Sequence, residues 1–298
     1  MAEAQARVRR LADIASRGGK VPPLYVYVVF LLPGFTFSVL VSHMVNYVPF
    51  VVSAIAIVPL MAATNLYDDF FDFSYGYDKP DSPNTLYRRH PIFSYGVKPN
   101  YLLKWAVLFS IIYFLLVSVD ALLFSRLIFV IGSAGFILGY GYTGPPLRYK
   151  YFGFGEAGVF LSFLLANLLV SVSCLGRVDL LSAIYSLPFS LLIVLIFLAG
   201  NTRDIEADRA SGFITVPVLL GRKGAVMLLI FLVAMFYISI PVLILLKLYS
   251  PFTMFVLAGI PVAYYSLSNV LKNKGTAEWL LGPYVFLSLI LLALLSLV

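Results

Sequence analysis

Nine apolar stretches, each near 20 residues, follow one another along this 298-residue chain, at about 24–45, 47–67, 101–119, 122–142, 155–176, 179–200, 224–246, 251–270 and 279–298. A bilayer core about 30 Å thick demands roughly that length of helix, so each window reads as a membrane-spanning helix. Composition agrees: 61% of residues are apolar and only 12% charged, outside the range of soluble domains. The expectation is an all-α integral membrane protein, one domain over residues 1–298, with nine transmembrane helices around a central cavity. The gaps flanking Asp120 and Asp179 are so short that tight turns are expected there.

Assigning loops to alternating sides tests that count. Nearly every basic residue falls on one side: Arg7, Arg9, Arg10, Arg17, Lys20, Lys79, Arg88, Arg89, Lys98, Lys104, Arg148, Lys150, Arg203, Arg209, Arg222, Lys223, Lys272 and Lys274. Arg126, Arg177 and Lys247 take the other. The positive-inside rule then makes the first side, and the N-terminus with it, cytoplasmic, in a multi-pass protein of the cell membrane. The net charge of +7 is explained by these loops facing anionic lipid, and no soluble basic domain exists to bind nucleic acid. Residues 1–20 are charged, lack the apolar core of a signal peptide, and could form a short surface helix. Cys174 stands alone within a span, which excludes a disulfide framework or a zinc site built on thiolates.

Two copies of Asn-x-x-Asp-x-x-x-Asp lie at the ends of the second and sixth stretches: Asn65, Asp68, Asp72 and Asn201, Asp204, Asp208, offset by 136 residues. The offset suggests an internal repeat of a helix group about an axis along the membrane normal. On a helix, positions i, i+3 and i+7 share one face, so each copy aims two carboxylates and an amide in one direction. Carboxylates are costly in a membrane, which marks them as functional. Oxygen ligands so arranged suit hard cations, and Mg²⁺ is commonly held by one or two carboxylates plus substrate phosphate oxygens. Both copies fall on the cytoplasmic side, so two faces meeting across a cavity suggest a metal-assembled diphosphate site.

Around the motifs, Asp69 projects near the first face as a second-shell partner or a ligand, while Glu206 points away from its own. Arg148, Lys150, Arg203, Arg88 and Arg89 are candidates for phosphate oxygens that metal leaves uncovered. Tyr67, Phe71, Tyr140 and Tyr142 lie close enough to shield a carbocation with their ring faces. His90 sits in a long polar segment, 73–100, where a surface role is the default. That segment is too long for a turn and reads as a cytoplasmic cap over the site. Shorter loops at 143–155 and 209–224 flank the same face.

The runs Asn65-Leu-Tyr-Asp-Asp-Phe-Phe-Asp72 and Asp204-Ile-Glu-Ala-Asp-Arg-Ala-Ser-Gly212, followed by Thr215, Pro217, Val218 and Gly221, resemble the two signature motifs of the UbiA superfamily of intramembrane prenyltransferases. The resemblance implies nine helices with both motifs on the cytoplasmic side. It implies a polyprenyl diphosphate held through two Mg²⁺ ions, with Mn²⁺ able to substitute, that ionises to an allylic cation captured by an electron-rich acceptor while the prenyl tail lies against membrane lipid. Asp68, Asp72, Asp204 and Asp208 would be catalytic and, with Asn65 and Asn201, metal ligands. Lys150, Arg148 and Tyr142 would bind diphosphate, with Asp69, Arg88 and Arg89 behind them. The segment from Gly141 to Glu156, with Gly76, Tyr77 and Asp78, is most similar to the branch that prenylates 1,4-dihydroxy-2-naphthoate in menaquinone synthesis. Two features depart from the family: Tyr142 has Pro146 rather than Lys four residues on, so Arg148 or Lys150 must substitute, and only Lys20 offers a basic residue before the first helix.

Rival readings are an acceptor of the geranylgeranylglyceryl phosphate type, used in ether-lipid synthesis, and, from a different class, a divalent-cation transporter. A transporter's acids should lie near the bilayer midplane. A CDP-alcohol phosphotransferase would carry an Ala-Arg pair after the first Asp, which the chain lacks.

Overall fold

The computed structural model describes residues 24–42, 45–80, 90–271 and 277–296. Residues 1–20, Arg88 and Arg89 lie outside the described residues. In chain order the helices are α1 (Leu24–Val41), α2 (Tyr47–Ser74), α3 (Pro91–Tyr95), α4 (Pro99–Leu123), α5 (Arg126–Gly141), α6 (Gly155–Leu175), α7 (Leu180–Arg203), α8 (Ile205–Ala210), α9 (Val216–Leu245), α10 (Ile260–Leu271) and α11 (Ala277–Ser296). Single 3₁₀ segments cover Tyr149–Tyr151 and Pro251–Gly259. Six segments are long and apolar enough to cross a membrane: α2, α4, α6, α7, α9 and Pro251–Val270. The chain is a multi-pass, all-helical membrane protein.

Short polar residues set the helix starts. Asn46 Oδ1 accepts the Val48 N–H at 3.3 Å, and Asp179 Oδ1 accepts that of Leu181 at 3.0 Å, each satisfying an otherwise unbonded first-turn donor. Asp179 therefore occupies its expected turn. Asp120 does not: α4 runs past it to Leu123, and its side chain is 0% exposed, accepting from Ser53 Oγ at 2.7 Å. The turn falls instead at 124–125, because a carboxylate that finds a hydroxyl partner from α2 can remain within a helix. Gly221 interrupts α9 with φ 67°, ψ 169°, a conformation that a side chain would disfavour, so the regular apolar helix begins after it.

α7 forms the centre. Tyr185, Phe189, Leu192, Leu195 and Leu198 pack with Phe37 of α1, Phe163 of α6 and Phe236 and Ile240 of α9. A separate cluster, Leu66, Tyr67, Phe71, Leu102 and Ala106, locks the motif-bearing end of α2 onto α4. Large apolar side chains such as Leu115, Leu122 and Val130 are exposed on the outside, as lipid-facing residues should be.

α1 and α6 approach closely at Gly34. Pro33 lies within α1 beside it, and the Gly34 N–H donates to Asn167 Oδ1 at 3.0 Å across the buried contact. A Cβ on Gly34 would stand 2.3 Å from the Asn167 carbonyl oxygen. Small residues at such crossings let backbones meet. Gly34→Val should therefore cost about 1–3 kcal/mol, measured as a lower thermal midpoint of the purified protein in detergent; an unchanged midpoint would show that the two helices can separate freely.

Candidate active site

The first motif sits on one continuous helix. α2 carries its apolar pattern through Asn65–Asp72 to Ser74, and the packing of Leu66, Tyr67 and Phe71 against α4 holds this last stretch in place. Asp68, Asp69 and Asp72 are buried, Asp72 to 2% exposure, and Asn65 is half-buried one turn earlier. Lys150 Nζ bridges two of them, at 2.5 Å from Asp68 Oδ1 and 2.6 Å from Asp72 Oδ2. Tyr151 Oη donates to the other Asp72 oxygen at 2.6 Å. Burial alone would push the Lys150 ammonium down, but Asp68 and Asp72 hold it well above the usual lysine range, so it stays charged. Burial and the Asp72 charge likewise raise the Tyr151 phenol and keep it a donor.

The 3₁₀ turn at Tyr149–Tyr151 delivers these two side chains, and aromatic rings wall them in. Lys150 Nζ lies 5.3 Å from the Tyr142 ring centre and 5.2 Å from that of Phe213. Tyr77 stacks on Tyr151 at 4.6 Å, and a parallel bridge pairs Phe152 with Ile214. The three loops expected above the motifs thus meet over Lys150. Tyr67 and Tyr140 instead pack edge to face with each other at 5.0 Å, and Phe71 belongs to the same cluster on α4. Of the four rings expected to shield a cation, Tyr142 is the one set against Lys150. Arg148 adopts φ 43°, in the left-handed region, and rests its guanidinium 5.1 Å above Tyr75.

After α2 the chain turns at Gly76, φ 78°, and the N–H groups of Tyr77 and Asp78 both return to the Asp72 carbonyl, at 2.9 and 3.1 Å. This brings Asp78 back beside the motif, where Asp69, Asp78 and His90 each offer a donor atom within 4.8 Å of the others. His90 is 3% exposed and 3.3 Å from Asp78, so the surface role expected of it is wrong. Its Nδ1 accepts the Ile92 N–H at 3.2 Å as the cap of α3, and Nε2 faces Asp78 at 3.3 Å. Burial pushes Asp78 up, but His90 and then Lys150 outweigh it and hold the carboxyl below its usual range.

The second motif is built differently. α7 ends at Arg203, Asp204 takes a non-helical φ −90°, ψ 8°, and Asp208 lies on the separate short helix α8. The expectation of one uninterrupted helical face is corrected here: the chain must leave the span and run along its edge, and the break falls at Asp204. Arg203 grips Asp204 through Nε–Oδ1 at 2.6 Å and Nη2–Oδ2 at 2.5 Å, so it pairs with the motif itself. Burial, and then the Asp204 charge, push Asp208 up to about 7, while Lys150 acts against this from the first motif. Asn201 Nδ2 donates to Glu156 Oε1 at 2.8 Å. Glu206 is exposed and pairs with Arg209, as its direction on the helix implies.

Two carboxylates of the first motif thus hold one buried ammonium whose charge also acts on Asp208 of the second, leaving more carboxylates than that charge can neutralise. Such a donor set fits hard divalent cations.

Residues 26–295 match the UbiA prenyltransferase family. The chain belongs to this family. It is 31% identical over 218 residues to 1,4-dihydroxy-2-naphthoate octaprenyltransferase of Bacillus subtilis (strain 168), covering 72% of this chain and 68% of the relative. It is 29% identical over 178 residues to UbiA prenyltransferase domain-containing protein 1 of Dictyostelium discoideum, covering 56% and 52%. Among solved structures, a digeranylgeranylglyceryl phosphate synthase has TM-score 0.69 at 17% identity, covering 97% of this chain and 99% of that one. A UbiA homologue from Archaeoglobus fulgidus bound to GPP and Mg²⁺ has TM-score 0.67 at 15% identity, covering 95% and 99%. These two structural likenesses show a shared fold.

In this UbiA prenyltransferase, Tyr151, Asp78, His90, Glu156 and Phe213 join the motif residues without having been singled out by spacing. An Asp after a Gly-containing turn was the one available signal, for Asp78. Breaking a buried pair leaves uncompensated charge at a cost of about 3–5 kcal/mol. In EDTA, Lys150→Met should lower the thermal midpoint accordingly, and added Mg²⁺ should recover more stability in the variant than in the wild type. Equal midpoints in EDTA would mean that Lys150 does not neutralise Asp68 and Asp72.

Proposed function

We propose that this chain transfers a polyprenyl group from a polyprenyl diphosphate to an aromatic acceptor of the 1,4-dihydroxy-2-naphthoate type, in quinone synthesis, with divalent-cation dependence. The observation that carries the reading is Lys150 bridging Asp68 and Asp72 of the first motif while its charge also acts on Asp208 of the second. Asn65, Asp68 and Asp72 would hold one Mg²⁺, and Asn201, Asp204 and Asp208 a second, with Mn²⁺ able to replace either. Bound there, the ions would neutralise charge that grows on the diphosphate as the allylic C–O bond ionises. Mg²⁺ with GPP in a homologue of the same fold supports this choice.

The chain's own residues supply the rest. Lys150 donates to diphosphate oxygens once the carboxylates engage metal, with Tyr142 beneath it and Arg148 alongside. The rings of Tyr77, Tyr151 and Phe213 exclude water that would otherwise capture the cation as an alcohol. His90 and Asp78 anchor the start and end of the cap over residues 73–100, and Arg88 and Arg89 on that cap would reach phosphate or acceptor. Nine spans with the N-terminus inside, supported by the distribution of Lys and Arg, would place the site on the cytoplasmic side, its prenyl groove open to lipid.

The naphthoate acceptor is favoured over glyceryl phosphate by the Bacillus subtilis relative. Asp72→Ala and Asp204→Ala should each reduce turnover by about 100-fold or more without unfolding the protein; near-wild-type turnover in either folded variant would end the two-motif account. In parallel assays with one labelled prenyl diphosphate, prenylated naphthoate should form much faster than prenylated glyceryl phosphate. The reverse order would replace the acceptor and leave the metal chemistry standing.

A further inference from the structure

Glu156 opens α6 beside the second motif and is 7% exposed. Its Oε1 accepts from Asn201 Nδ2, while Oε2 is buried without a hydrogen-bond partner. The same side chain acts electrostatically on Asp208, so it stands within reach of the motif without belonging to it.

An asparagine amide has one end that donates and one that accepts, and only the carbonyl oxygen can ligate a hard cation. An ionised Glu156 carboxylate offers Asn201 only acceptor oxygens. It therefore selects the NH₂ end of Asn201 and turns Oδ1 away from α6. Without it, nothing on α6 opposes rotation of the amide, and its N–H groups could turn toward the cation and repel it. We propose that Glu156 is a positioning residue of the reaction: it orients the Asn201 amide so that Oδ1 is available to a divalent cation at the second motif. This rests on the metal-dependent reading above.

The test uses the full chain purified in detergent, with Mn²⁺ as the probe, its affinity read by electron paramagnetic resonance of the free ion. Asn201→Ala and Glu156→Ala should each weaken Mn²⁺ binding by about tenfold or more, the usual effect of losing a ligand's supporting partner. The double variant should be no weaker than either single one, because the two residues act as a unit. Glu156→Gln, whose amide can present either its oxygen or its NH₂ to Asn201, should weaken binding too, though less than Glu156→Ala. Asn201→Asp in the Glu156→Ala background should recover affinity, since a carboxylate has two equivalent oxygens and needs no orienting; this pair also decides the matter if Glu156→Ala alone does not fold. Loss of affinity in Asn201→Ala but not in Glu156→Ala would overturn the inference and leave the metal site intact. Unchanged affinity in Asn201→Ala would instead defeat the metal reading of the second motif.

Discussion

Carboxylates gathered at the end of an apolar bundle are tolerable only with a cation among them, and in this protein Lys150 is that cation. Its ammonium lies between Asp68 and Asp72, and its position dictates much around it. α2 must continue past its apolar stretch to place both carboxylates, and the loop after α5 must fold back so that its 3₁₀ turn reaches them. Tyr151 then closes the remaining Asp72 oxygen, and Phe213 arrives from the loop after α8. One buried charge thereby ties together three segments that are far apart in sequence.

The two motifs share spacing but not construction. The first is a continuous helical face fastened to α4 by apolar packing, with two of its carboxylates bridged by Lys150. The second straddles a helix break, with Asp204 paired outward to Arg203 and Asn201 tied to Glu156.

Six of the spans, the two motifs and Lys150 were legible because each has a local signal: continuous apolarity, a repeated spacing of acids, a basic residue near the motif. What depended on the path of the chain was not. His90 looks like a surface residue in a polar segment until the turn at Gly76 brings Asp78 beneath it. Asp120 looks like a turn residue until Ser53 of a neighbouring helix supplies its partner. Tyr67 and Phe71 sit in the motif by number, yet helical phase sends them into the packing against α4, while Tyr151 and Phe213 line the site from loops with no periodicity to reveal them.

The central claim is that both motifs act together, through divalent cation, on a prenyl diphosphate. Equilibrium binding of a non-hydrolysable prenyl diphosphate analogue, compared in Mg²⁺ and in EDTA, tests it directly. Tight binding in Mg²⁺ that is lost in EDTA, and lost in both Asp72→Ala and Asp204→Ala, is the predicted result. Binding that persists in EDTA, or that survives removal of either motif, would contradict the account.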